Sequence, residues 1–337
     1  MNYCFGVDIG GTTVKIGLFE ETGTIVEKWE IPTNTLADGE AILPDIAFSL
    51  KTKIEERKLS EEDILGIGVG VPAPVTAEGI VNGSANLGWK YKEVKKEMEE
   101  LTGLKAYIGN DANVAALGEM WKGGGAGEKN MIMVTLGTGV GGGVIIDGKM
   151  LVGNNGAGGE IGHICVNYEE NDRCGCGNKG CLEQYASATG IVRLAEQKLK
   201  TEKRETILNK AAITAKDVFD AVKAGDEVAD EIAAEFGKYL GYGLANLAAV
   251  VNPAVFVIGG GVSKAGEVLI PYIEKPYKER AFFADKNVRF VLAQLGNDAG
   301  ICGSAKLVLD EKKNCFLRLM FEISEIKNIF LKQKYLN

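Results

Sequence analysis

The stretch Val7-Asp8-Ile9-Gly10-Gly11-Thr12-Thr13 closes an apolar run that begins near residue 3, and Val14 to Phe19 resumes it. An apolar run, a Gly/Thr break and a second apolar run read as two strands joined by a tight turn. The pattern recurs at Val134-Thr135-Leu136-Gly137-Thr138-Gly139, 127 residues later. The echo predicts two similar α/β domains, each presenting one turn to a shared cleft.

Outward from the first turn, Ile25 to Ile31 predicts a third strand. Ile42, Leu43, Ile46, Ala47, Leu50 and Ile54 predict a helix. Ser60 and Asp63 form a capping-box pair before a buried strand, Ile64 to Val71. Helix over 90–103, strand over 104–109 and helix over 112–121 follow. Gly123-Gly124-Gly125-Ala126-Gly127 reads as a flexible hinge or domain seam. Beyond the second turn come helices near 183–200, 214–224 and 227–251, strands at Val255 to Ile258 and Val288 to Ala293, and a helix from Asp298 to Leu309. Residues 311–337 contain no glycine, and Phe316, Leu319, Met320, Ile323, Ile326 and Phe330 keep helical spacing. They read as an extra surface helix or frayed tail, with a partner-binding helix as the alternative.

Composition excludes several function classes. Thirty-eight basic residues against 46 acidic give a net charge of −8. This is a poor surface for nucleic acid, whose phosphates require neutralisation by basic groups. No apolar run is long enough for a membrane span, and the first residues lack the basic and apolar regions of a signal peptide. A cytoplasmic protein is expected. Histidine occurs once, at His163, which removes mechanisms that need two. Glycine supplies 45 of 337 residues, roughly twice the usual share, as backbone recognition of phosphate would require.

In the two Gly/Thr turns, N–H groups can approach phosphate oxygens closely and threonine hydroxyls add donors. Asp8 could hold magnesium, directly or through water, or could cap its turn. Gly259-Gly260-Gly261, at another strand end, could pass under an adenine or ribose. Gly109-Asn110-Asp111-Ala112-Asn113 lies where a strand becomes a helix. One of its polar residues is explained as an N-cap, and the others face the usual ligand crevice of an α/β sheet. Asp111 is the candidate general base, and a helix N-terminus favours its ionised form. His163 with Cys174-Gly-Cys176 and Cys181 offers four N/S ligands, a closed tetrahedral set suited to one structural zinc. Cys4, Cys165, Cys302 and Cys315 read as ordinary thiols. Glu160 and Glu183 flank the zinc loop. They could accept hydrogen bonds from vicinal sugar hydroxyls or serve as surface charge.

In combination and order, these motifs resemble the ROK family of sugar kinases and repressors over roughly residues 3–310. Besides the turns, Asn-Asp pair and Cys/His set, Gly156-Ala157-Gly158-Gly159-Glu160-Ile161-Gly162-His163 and Asn252-Pro253 carry the resemblance. Asn86-Leu87-Gly88-Trp89-Lys90 is most similar to the bacterial glucokinases of that family. The resemblance implies an actin-like ATPase (ribonuclease H-like) fold of class α/β, with two α/β domains around a cleft. The expected small domain spans 1–118, completed by a C-terminal helix near 298–310. The large domain spans 119–297 with the zinc loop, and 311–337 is an extra tail.

The implied reaction is transfer of phosphate from Mg-ATP to the 6-hydroxyl of glucose. Fructose, mannose or an N-acetylhexosamine is the alternative acceptor, and a non-catalytic sugar sensor the rival class. Asp8, Gly10, Gly11, Thr12, Thr13, Lys15, Gly137, Thr138, Gly139, Val140, Gly141, Gly259, Gly260 and Gly261 would bind ATP. Asn86, Asn110, Asp111, Glu160, His163 and Glu183 would contact the sugar. Asp111 would act as base, and His163 would also bind zinc through one nitrogen. A homodimer is implied at family level. The phosphate turn begins at Asp8, too early for the helix-turn-helix of family repressors. Ala73, in Val71-Pro72-Ala73-Pro74, stands where the family has glycine, so the sugar-side loop is expected to differ if positive φ is required there.

Overall fold

The computed structural model describes residues 2–208 and 212–313. The expected helix around Phe316 to Phe330, and Cys315, lie outside them. The chain divides into two compact units. One comprises the residues up to Asp111 together with those from Gly300, and the other is Ala112–Ala299.

In the first unit, β1 (Tyr3–Ile9), β2 (Thr13–Glu20), β3 (Ile25–Pro32), β4 (Ile64–Val71) and β5 (Ala106–Asn110) form one sheet in the order β3-β2-β1-β4-β5. The β1–β2 and β2–β3 pairs are antiparallel, and β1–β4 and β4–β5 are parallel. Side chains alternate across β1. Phe5, Val7 and Ile9 enter a core with Ile42, Leu43, Ile46 and Leu50 of the Ile42–Arg57 helix. Cys4 and Gly6 instead meet a helix over 299–313. A Cβ on Gly6 would lie 2.1 Å from the Ile301 carbonyl oxygen, and one on Gly68 1.8 Å from that of Ser304. These glycines let the helix backbone rest directly on the strands.

The second unit repeats the plan. β6 (Met131–Leu136), β7 (Val140–Ile146), β8 (Lys149–Met150), β9 (Val255–Gly259) and β10 (Arg289–Leu292) run in the order β10-β9-β6-β7-β8. The antiparallel β6–β7 and β7–β8 pairs and the parallel β6–β9 and β9–β10 pairs mirror the first sheet. The predicted echo is therefore a duplicated topology. Its core gathers Ile132, Val134 and Phe256 with Ile232, Phe236, Leu240 and Leu244 of the Glu227–Val251 helix. Among the described residues no helix is long and apolar enough to cross a membrane.

The first unit ends at Asp111, earlier than the boundary expected near residue 118. The reason is packing: a Cβ on Gly143 of β7 would meet Ala116 Cβ at 2.4 Å, and one on Gly141 would meet Ala112 Cβ at 3.6 Å. The Asp111–Lys122 helix is thus seated on β7 from its second residue. Within the expected seam, Gly123 to Gly125 are close-packed, while Ala126 and Gly127 are exposed. Glu119 is fully buried, and its carboxylate accepts the N–H groups of Gly124 (2.8 Å), Leu295 (2.8 Å) and Gln294 (3.1 Å). Glycine fits there because a Cβ on Gly123 would lie 1.9 Å from Glu119 Oε2.

Glu119→Gln keeps the size but presents an amide N–H₂ to donors. We expect a loss of about 1–3 kcal/mol, the usual penalty for buried groups left unpaired. Scanning calorimetry should show the lower Tm, and an unchanged Tm would remove the carboxylate from this role.

Candidate active site

Because β1, β4 and β5 are parallel neighbours, their carboxyl ends share one edge, where α/β sheets bind ligands. Asp8 pairs with Gly70, and Gly70 with Gly109. A Cβ on Gly70 would lie 3.5 Å from Ser304 Oγ and 3.7 Å from both an Asp8 carboxylate oxygen and Asp111 Cα, so this glycine sits between the two acidic residues and adds no side chain there. Asp111 opens its helix, where backbone N–H groups favour a carboxylate. Asn110 Nδ2 donates to Asp111 Oδ1 (3.1 Å) and to the Ala73 carbonyl (3.2 Å). Ala73 is not among the positive-φ residues, so the alanine sits in its loop without backbone strain. Burial pushes the Asp8 carboxyl above its ordinary range, and the facing Lys15 charge opposes that shift.

The first turn is closed by the Gly10 N–H on the Thr13 carbonyl at 3.0 Å, leaving Gly11 and Thr12 exposed. Asn86 lies beside it, its carbonyl oxygen 3.7 Å from a Cβ placed on Gly11. The Asn86 loop is braced from behind, where the Trp89 indole N–H donates to the Gly39 carbonyl at 3.1 Å. That carbonyl ends a left-handed run in which Ala37 and Asp38 have φ of 50° and 56°.

In the second unit, the Gly137 N–H meets the Gly139 carbonyl at 3.0 Å. Two partners escape sequence reading. The Ala188 N–H donates to the Gly137 carbonyl (2.8 Å), and the Thr189 hydroxyl donates to the Thr138 carbonyl (2.8 Å). With its carbonyls engaged, the turn keeps its remaining N–H groups for an anion. Thr135 pairs with Gly259, so the Gly259–Gly261 loop adjoins this turn. Gly260 has φ 83°, and a Cβ there would lie 2.5 Å from both Leu136 N and O, so the loop backbone rests against the end of β6. Beside it a cavity of about 300 Å³ is lined by Ala188, Thr214, Phe219, Gly261, Val262 and Ala265.

His163, Cys174, Cys176 and Cys181 come together with their ligand atoms all within 4.8 Å of one another. Cys176 and Cys181 sulfurs are 3.6 Å apart, and Cys174 Sγ lies 3.8 Å from His163 Nδ1. The edge of a tetrahedron around zinc with about 2.3 Å Zn–S bonds is about 3.8 Å, so the donor set fits one structural zinc. The Asn178 N–H holds the Cys176 thiol below its ordinary range, while burial and then Glu183 push Cys174 up. Glu183 Oε1 accepts from Cys174 Sγ at 2.8 Å, and its Oε2 lies 2.8 Å from a Cβ placed on Gly139. Glu160 Oε2 is 4.0 Å from His163 Nε2, the nitrogen turned away from Cys174. Glu160, His163 and Glu183 are thereby grouped around the metal set. Of the other cysteines, Cys4 and Cys302 are buried, Cys165 is half-buried, and burial pushes the Cys4 thiol up to about 12.

The model of the ROK family matches residues 4–311. A glucokinase of Halalkalibacterium halodurans is 45% identical over 317 residues, covering 92% of this chain and 96% of that protein. A ROK family glucokinase from Streptomyces griseus, solved with glucose and AMPPNP, is 34% identical with a TM-score of 0.72, covering 91% of this chain and 99% of the other. The ROK hexokinase of Thermus thermophilus is 29% identical with a TM-score of 0.78, covering 92% and 99%. The family match over nearly the whole described chain, the 45% identical relative and the solved neighbours agree with the two mixed sheets of an actin-like ATPase fold, and this chain belongs to the ROK family.

Proposed function

We propose that the chain is an ATP-dependent glucokinase, converting glucose and Mg-ATP to glucose 6-phosphate and ADP. The observation that carries this reading is the convergence of Asp8, Asn110 and Asp111 on one sheet edge, with Asp111 at a helix N-terminus. The relatives named glucokinases, and the neighbour solved with glucose and AMPPNP, support the choice of sugar and donor.

Asp111 takes the proton of the 6-hydroxyl. Phosphoryl transfer has a loose transition state, so a late proton acceptor and correct placement suffice. Gly10 to Thr13 with Lys15, and Gly137 to Gly141, present N–H groups and charge to the phosphates. Gly259 to Gly261 and the adjoining cavity take the adenosine end. Asn86, Asn110, Glu160, His163 Nε2 and Glu183 hold sugar hydroxyls. Asp8 would hold magnesium directly or through water, a single half-buried carboxylate suiting an ion that keeps several waters, and the ion would supply charge neutralisation at the phosphates. Zinc on His163, Cys174, Cys176 and Cys181 would hold the loop, with no ligand position left for chemistry. A homodimer and a cytoplasmic location remain family-level expectations, the former tested by light scattering.

Intact Asp111 and both turns favour an enzyme over a sugar sensor. Coupling the product to NADP reduction through glucose-6-phosphate dehydrogenase tests the reading. Stoichiometric reduction supports phosphorylation at the 6-hydroxyl. Release of ADP without reduction would place the phosphate elsewhere.

A further inference from the structure

We propose that Tyr185 is a positioning residue for the sugar: clasped by Glu170 and Arg193 inside the second unit, it fixes the Glu183–Ala186 helix and so the direction of the Glu183 carboxylate. The proposal rests on the reading that Glu183 holds a sugar hydroxyl.

A four-residue helix has no stability of its own, because nucleating one turn is unfavourable. Its orientation comes from side-chain tethers. Tyr185 is 2% exposed. Its hydroxyl donates to Glu170 Oε2 and accepts from Asn167 Nδ2 at 2.8 Å. Its ring stacks on Tyr239 with centroids 3.9 Å apart, and the Arg193 guanidinium lies 5.2 Å from its centroid. Arg193 also pairs with Glu170 Oε2. Glu170 Oε1 accepts the N–H groups of Asn171 (2.8 Å) and Asp172 (2.9 Å). Gln184 adds a second brace, taking the Cys181 N–H at 3.0 Å and giving its amide to the Asp172 carbonyl at 3.0 Å.

Burial works against ionising Glu170, yet the Tyr185 and Arg193 hydrogen bonds outweigh it and hold the carboxyl at about 2. Burial, then the bond to Glu170, pushes the Tyr185 hydroxyl up to about 12. The clasp therefore keeps one charge arrangement throughout the neutral range.

The test uses the zinc-loaded protein. Tyr185→Phe keeps the ring stack and removes the hydroxyl. Glucose KM, and glucose Kd by calorimetry without nucleotide, should rise about 5–20-fold, part of the worth of one hydrogen bond to a charged group, because Tyr185 acts through Glu183. The kcat and the ATP KM should stay within about twofold, with about one zinc per chain retained. Glu170→Gln should act in the same direction, and it carries the test if Tyr185→Phe fails to fold. In a Glu183→Gln background, Tyr185→Phe should add less than about twofold, because both act through one carboxylate.

Unchanged glucose Kd in Tyr185→Phe and Glu170→Gln, while Glu183→Gln weakens binding, would overturn the proposal and leave the Glu183 reading intact. Unchanged Kd in Glu183→Gln would overturn the reading beneath it. Loss of zinc in parallel with glucose affinity, or full additivity in the double variant, would assign the clasp to the metal loop alone and overturn the proposal.

Discussion

Asp111→Asn lowers kcat by about 10²–10⁴, the usual worth of a positioned general base, while glucose binding is largely kept. Asparagine fills the same space and still presents an oxygen to the Asn110 amide, which reaches Asp111 Oδ1 at 3.1 Å. The fold around it should persist, because Gly70 leaves room beside Asp111 Cα and Asn110 stays anchored on the Ala73 carbonyl. An amide oxygen can accept a hydrogen bond from the 6-hydroxyl but cannot take its proton at neutral pH. A fall in kcat with little change in glucose KM is the signature of an interaction made only in the transition state. Stopped assays at saturating Mg-ATP over a glucose series separate the two constants. Near-normal kcat would remove Asp111 from the role of base.

Loss of the metal should be the other large effect. The stretch from His163 to Cys181 contributes few large apolar side chains to the core, and its sharp turns are closed by short bonds such as Cys174 N–H on the Asn178 carbonyl at 2.7 Å. For so small a loop the metal replaces a core, and ligation supplies the ordering free energy. His163 belongs to that loop, and Glu160 and Glu183 lie 4.0 Å and 3.8 Å from its ring nitrogens. Chelation, or Cys181→Ser, should weaken glucose binding about 100-fold or more, equivalent to about 3 kcal/mol of lost ordering. The cluster of Ile132, Val134, Phe236, Leu240 and Phe256 contains no metal ligand. Far-UV circular dichroism should therefore change little. Elemental analysis should find about one zinc per chain, as a closed four-ligand set requires. A metal-free protein with unaltered glucose affinity would contradict the account of the loop.

The two Gly/Thr turns and the Cys/His set were legible because their chemistry is local. A turn between strands needs glycine within a few residues, and metal ligands need a spacing that lets them converge. Glu119 was not legible. In the sequence it is one more acid in a helix, and only the approach of Gly124, Gln294 and Leu295 shows it to be a buried hub. The same hub packs Gly123 to Gly125, the first part of the apparent hinge. Glu170 sits beside Glu169 in a polar stretch, and nothing local distinguishes the clasped acid from its exposed neighbour. The expected single helix over 183–200 is broken at Ser187, whose extended backbone and bond from the Gly190 N–H start a new helix. A capping serine is common enough that the break is visible only once Ala188 is seen tied to Gly137. At Ala73 the pattern alone could not tell whether positive φ was needed, and the structure shows an ordinary φ there.

The central claim is phosphoryl transfer from Mg-ATP to glucose in preference to other hexoses. The most direct measurement is sugar-dependent ADP release across a panel of glucose, fructose, mannose and N-acetylhexosamines, each taken to kcat/KM. Magnesium-dependent turnover is expected, with glucose giving the highest kcat/KM. Turnover on fructose or an N-acetylhexosamine but not on glucose would contradict the choice of sugar, and no turnover on any hexose would contradict the enzyme itself.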